Sequence, residues 1–167
     1  MFLMLPYLLV FALSMVPVLE LRAALPLALL YYDINPALAI LLTFIGNVLP
    51  VPFLVVWGRQ VLEWLASFKT LGGPFRWILR LGEKKVSKMH RTLFVSLLLF
   101  VAVPLPGTGA WTGSLIALTL NLKLKKALPP IALGVLIAGI VVAIACFAGG
   151  GLADLFVSDK LINFFSK

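Results

Sequence analysis

Two charged side chains stand where charge is expensive. Glu20 and Arg22 are the only charged residues well inside a long apolar stretch, one of four that dominate the chain. On membrane-insertion scales each costs about 2.5–3.5 kcal/mol at a helix centre, so such groups pair with one another or face a cavity. Spaced two apart, they do not face each other on a regular helix. They converge on one site if the chain unwinds between Pro17 and Pro26. Two readings follow: a salt bridge that pins packed segments together, or a site for substrate or a proton.

A second group of residues has the chemistry of an anion site. Gly107-Thr108-Gly109 precedes the apolar run Ala110 to Leu120, the pattern of a loop opening onto a helix N-terminus. Unpaired amides and the positive end of the helix dipole attract an anion there. Thr108 and Thr112 add hydroxyls, and Trp111 either lines the cavity or packs. A turn that simply lets two helices approach has the same sequence. Asn47, within Gly46-Asn47-Val48-Leu49-Pro50-Val51-Pro52, wants a hydrogen-bond partner in hydrocarbon and lines the same cavity if the prolines kink the helix. His90 lies among lysines, and Cys146 reads as a small apolar filler, so neither suggests a metal or a nucleophile.

No catalytic constellation accompanies these residues. The sequence shows no serine–histidine pair at membrane depth, no cluster with metal-ligand spacing and no phosphate-binding fingerprint. An enzyme, a bound cofactor and transport driven by nucleotide hydrolysis are not expected.

The elements that must hold these groups are membrane helices. Of 167 residues, 62% are hydrophobic and 12% charged, and the mean hydropathy is +1.12. Globular domains average roughly 45–50% and 25%. A soluble domain of this size cannot hide that surplus. The apolar blocks are 1–32, 34–58, 92–122 and 127–153. A crossing takes about 20 apolar residues, so the second and fourth blocks fit one span each. The first and third are long for one crossing and short for two.

Both long blocks are also broken near the middle, at Pro17 to Pro26 and at Pro104-Leu105-Pro106-Gly107. Irregular backbone at membrane depth survives only inside protein or beside water. Re-entrant helical hairpins fit the lengths and the breaks, and two tightly packed full crossings are the structural rival. Charge favours a return to the starting side. Eight basic residues from Arg59 to Arg91 precede the third block, and Lys123, Lys125 and Lys126 follow it. Only if the block returns do both clusters lie in the cytoplasm, as the positive-inside rule prefers. The same charges suit anionic lipid headgroups better than nucleic acid.

The resulting fold class is an all-α integral membrane protein of one domain, built as an inverted repeat of two hairpin-plus-span units. Residues 1–33 form the first hairpin, 34–58 a span, 59–91 a basic amphipathic linker, 92–122 the second hairpin, 127–153 a span and 154–167 an amphipathic tail. In the linker, Val61, Trp64, Leu65 and Phe68 recur at helical spacing before Gly72-Gly73-Pro74, and Arg76, Arg80, Lys84 and Lys88 follow every fourth residue. Gly134/Ala138 and Gly139/Ala143 read as close helix packing.

Glu20-Leu21-Arg22-Ala23-Ala24-Leu25-Pro26, Gly46-Asn47-Val48-Leu49-Pro50-Val51-Pro52 and Pro104-Leu105-Pro106-Gly107-Thr108-Gly109-Ala110-Trp111-Thr112-Gly113 together resemble the putative small multidrug export protein family, over nearly the whole chain. That family is similar in plan to the DedA/VTT membrane proteins, whose facing re-entrant loops occur in lipid flippases and scramblases. The resemblance implies a multi-pass protein of the cell membrane that exports small molecules.

Three functions remain open on these grounds. One is a small secondary transporter with Glu20 as proton-coupling group and Arg22 with the Gly107–Gly109 amides binding an anionic part of the substrate. Another is a flippase for a phosphate-bearing polyprenyl lipid or phospholipid. The third is a non-transporting envelope scaffold. Membrane lipids are expected partners, and the small size suggests a homodimer.

Overall fold

A computed structural model describes residues 4–17, 19–68, 73, 90–105 and 108–148. Every element among them is helical: α1 (Leu5–Met15), α2 (Glu20–Pro26), a π-helical turn (Leu27–Tyr31), α3 (Pro36–Val48), α4 (Pro50–Ser67), α5 (His90–Ala102), α6 (Ala110–Thr119) and α7 (Leu124–Ala148). Expectations for residues 69–89, Gly73 apart, for Gly107, and for the tail from 149 onward lie outside the described residues.

The first break is shorter than the prolines suggest. Val16 turns extended, at φ −77° and ψ 130°, because the ring of Pro17 disfavours the helical region for the residue before it. That ends α1. Helix resumes at once with Glu20, so the chain is not unwound as far as Pro26. Pro26 sits inside α2, and the helix absorbs its missing donor by widening into the π-helical turn, where the Tyr32 N–H donates to Leu27 O at 3.1 Å. Glu20 opens α2 at φ 47°. A non-glycine residue in that left-handed region costs on the order of 1–3 kcal/mol and persists only where surroundings hold it.

The expected interruption at Gly46 to Pro52 is likewise milder than a break. Asn35 caps α3 by accepting from the Ala37 N–H at 3.0 Å, with Pro36 in the first turn. Leu49 alone separates α3 from α4, and it is helical at φ −57° and ψ −39°. Pro50 and Pro52 fall in the first turn of α4, where a missing N–H is tolerated. The span and the first part of the linker are therefore one rod, and α4 continues to Ser67.

Pro36–Gly58 and Leu124–Ala148, of 23 and 25 residues, are long and apolar enough to cross a membrane. By contrast α1, α5 and α6 have 11, 13 and 10 residues. At 1.5 Å per residue these reach only about 15–20 Å, against roughly 30 Å of hydrocarbon.

Small residues let the short helices lie against the long ones. A Cβ on Gly134 of α7 would sit 2.9 Å from the Leu98 carbonyl oxygen and 2.7 Å from Val101 Cβ of α5. One on Gly139 would sit 3.3 Å from Leu21 of α2, and one on Gly58 of α4 would sit 3.0 Å from Leu118 of α6. Val135, Ala138 and Val142 face inward on α7, while Leu133, Ile137, Ile140 and Ile144 are exposed. An apolar outer face with small inner residues is the pattern of a helix whose outside meets lipid.

A tighter approach than these joins α1 to α3. A Cβ at Gly46 would overlap Ser14 Oγ and lie 2.7 Å from the Phe11 carbonyl oxygen. Gly46→Ala is expected to destabilise the fold by about 1–3 kcal/mol, the usual cost of overpacking. Adding Ser14→Ala should recover only part of the loss, because the backbone carbonyl remains. Thermal unfolding in detergent measures both.

Candidate functional site

The helix α6 begins without the side chain that normally caps a helix. Its N-cap is Gly109, at φ 174° and ψ −166°, an extended conformation open to any residue. The Thr112 hydroxyl reaches back to accept from the Gly109 N–H at 2.9 Å, half of a capping box. The other half, an acceptor for the free amides of the first turn, comes from 91 residues earlier: Glu20 Oε1 accepts from the Trp111 N–H at 3.2 Å. Glycine leaves room for this contact, since a Cβ on Gly109 would overlap the Glu20 carboxylate.

Glu20 is thus a cap supplied across the molecule. It is 6% exposed, and its negative charge meets the positive end of the α6 dipole. The tryptophan makes a second joint, because its indole N–H donates to Met15 O at the end of α1 at 3.0 Å. One residue therefore ties the tip of α6 to both sides of the first break. This gives physical grounds for the strained backbone of Glu20.

Arg22 reaches the same loop by another route. Its Nη2 donates to Thr108 Oγ1 at 3.0 Å. That hydroxyl also accepts from the Leu105 N–H at 3.3 Å and lies 2.6 Å from Val103 O, to which it donates. One donor and two acceptor sites are all a threonine hydroxyl has, so Thr108 is saturated. Thr108→Val should cost about 1–2 kcal/mol, at the low side of hydrogen bonds to charged groups because the pair is only partly buried. Thr108→Ser should restore most of it, as read by thermal unfolding.

Asn47 completes the group. It is 3% exposed, and its Oδ1 is buried with no hydrogen-bond partner. It lines a cavity of about 10 Å³ together with Glu20, Leu21, Arg22, Val101, Gly109, Val135 and Ala138. The other buried hydroxyls stay local: Thr43 donates to Ala39 O and Ser114 to Ala110 O, at 2.7 and 2.6 Å.

The residues singled out by sequence, Gly107 aside, thus fall in one neighbourhood. Glu20, Arg22, Asn47 and Gly109 share the cavity, Thr108 and Trp111 bond its two charges, and Thr112 holds the cap. At this helix end the chain's own Glu20 takes the Trp111 amide and Thr108 takes one Arg22 donor. Sequence reasoning also passed over Met15, Leu21, Val101, Val135 and Ala138. A buried indole N–H demands an acceptor, the signal that could have pointed to a partner for Trp111.

Among the described residues no cluster of histidine, cysteine, aspartate and glutamate can hold a metal ion. No curated protein and no solved structure matches the chain. A family does: the one described as "Putative small multi-drug export protein" matches residues 20–141, from Glu20 itself through most of α7, and the chain belongs to that family of membrane proteins.

Proposed function

We propose that the protein is a secondary transporter that exports small molecules, using Glu20 as its titratable coupling group at a polar site near the middle of the bilayer. The observation that carries this reading is the buried Glu20 carboxylate docked on the α6 N-terminus. An ionisable group at membrane depth is costly and marks a transport pathway by default. Broken helices whose ends meet near the midplane are a recurring plan in such proteins.

The short helices support a re-entrant arrangement. Each of α1, α5 and α6 is about half to two-thirds the length of a crossing, and the tips that meet are Glu20 and Gly109. Gly58 of α4 packs beside Leu118, at the far end of α6 from that meeting point, while α3 starts directly after the first hairpin. A rod running between the bases of the two hairpins favours hairpins that dip in from opposite faces, with the basic linker cytoplasmic.

In this scheme the deprotonated carboxylate locks the two tips together. Protonation removes the charge that the α6 dipole and the Trp111 amide hold, releasing the helix end, beside Arg22, for an anionic portion of the substrate. At about 10 Å³, the cavity is far smaller than the roughly 300–1,000 Å³ of small-molecule sites, so substrate enters only when the tips separate.

Purified protein in liposomes tests this. Fluorescent small molecules should move in response to a pH gradient. Movement of a labelled polyprenyl phosphate alone would replace export with lipid flipping, a reading that Arg22 beside a helix N-terminus also suits. Movement of neither would leave the scaffold reading.

A further inference from the structure

We propose that the cavity between Glu20, Arg22 and Asn47 is a binding site for one water molecule, through which Glu20 exchanges its proton, and that it excludes sodium as coupling ion. The water site stands on geometry alone; its use in coupling rests on the transport reading above.

The starting point is an anomaly. Buried polar atoms are nearly always hydrogen-bonded, yet Asn47 Oδ1 is buried on a helix interior with no partner. An unpaired amide oxygen is among the costlier features a fold can carry. The space it lines is about 10 Å³, close to the least that accommodates one water and too little for anything larger. Donors and acceptors there also match a water, which typically makes about three hydrogen bonds.

Asn47 Oδ1 and the Glu20 carboxylate accept from it, and Arg22 donates to it. Arg22 has five N–H donors, of which Thr108 engages one. Leu21, Val101, Val135 and Ala138 add apolar lining.

A metal cation fits this set poorly. Hard cations need a shell of oxygen ligands, whereas here an arginine shares the space with one carboxylate and one amide. Glu20 and Arg22 already balance in charge, so the neutral occupant is favoured. Hydronium arriving at the site gives its proton to the carboxylate, leaving neutral acid and one water. The reverse step returns a proton to water.

Asn47→Leu keeps the branched shape and the number of side-chain heavy atoms, fills the small space with methyl groups and removes the amide oxygen. If water satisfies that oxygen, the variant loses hydrogen bonds and its Tm equals or falls below wild type. A clear rise in Tm would mean that the oxygen had been unpaired, and would overturn the water site. A high-resolution structure should show density for one water in contact with Asn47; a dry cavity would overturn it equally.

In liposomes, wild-type transport should follow a pH gradient and ignore replacement of sodium by choline. Asn47→Leu should lose at least tenfold in pH-driven rate. Sodium-driven transport would overturn the proton route while leaving transport intact. If nothing is transported, the transport reading fails, and the Tm and density results still decide the water site.

Discussion

Glu20→Gln should reduce pH-driven transport to the level of empty liposomes while leaving the protein folded. Glutamine keeps the length of the side chain and an oxygen that can accept from the Trp111 N–H. It removes the charge and the titration. Neutral hydrogen bonds are roughly half as strong as charge-assisted ones, but burying an amide is also cheaper than burying a carboxylate. These terms oppose each other, so Tm should shift by only a few degrees.

Truncation is expected to be harsher on the fold. Glu20→Ala removes the cap of α6, worth about 1 kcal/mol, and leaves alanine in a left-handed backbone conformation at φ 47°. Glu20→Gly loses the cap too but relieves that backbone, and should be about 1 kcal/mol more stable than Glu20→Ala. Thermal unfolding orders the variants, and liposome flux separates loss of charge from loss of structure.

Gly109→Ala should be nearly as damaging, for a different reason. The backbone at Gly109 is extended and suits alanine. The obstacle is the Glu20 carboxylate, whose Cδ lies 2.7 Å from where the new Cβ would stand. Either the carboxylate leaves the Trp111 amide or α6 shifts, at about 1–3 kcal/mol and with loss of transport in both cases. In a Glu20→Ala background the same substitution meets no carboxylate and should cost little. A double-mutant cycle should therefore show coupling of about 1–3 kcal/mol. Strict additivity would mean that Glu20 does not sit on Gly109.

Much of this site could be read from residue types. A carboxylate and a guanidinium inside an apolar block, a Gly-Thr-Gly loop before a helix, and one asparagine among prolines each broke the local rule for lipid-soluble sequence. Function concentrates where such rules are broken. What could not be read was the pairing. Glu20 and Arg22 looked like partners because they are neighbours in sequence, but each bonds to the segment that opens α6, at Trp111 and Thr108. Contacts across some 90 residues leave no periodicity in a single chain.

Proline also misled in a physically instructive way. Pro26, Pro50 and Pro52 suggested breaks, yet one is absorbed by a π-helical turn and the others sit in a first turn with one intervening residue. Pro17, by turning Val16 extended, does end a helix. Which outcome a proline takes depends on whether neighbouring carbonyls find other donors, and that is decided by packing.

The placement of Glu20 near mid-membrane depends on both hairpins being half-depth and opposed. Single cysteines at positions 37, 88 and 123, in a Cys146→Ala background, can be labelled from one side of sealed vesicles with a membrane-impermeant thiol reagent. Positions 88 and 123, flanking the second hairpin, should react from the same side, and position 37, at the start of α3, from the other. Labelling of 88 and 123 from opposite sides would make the second hairpin a single crossing and contradict the tip-to-tip site.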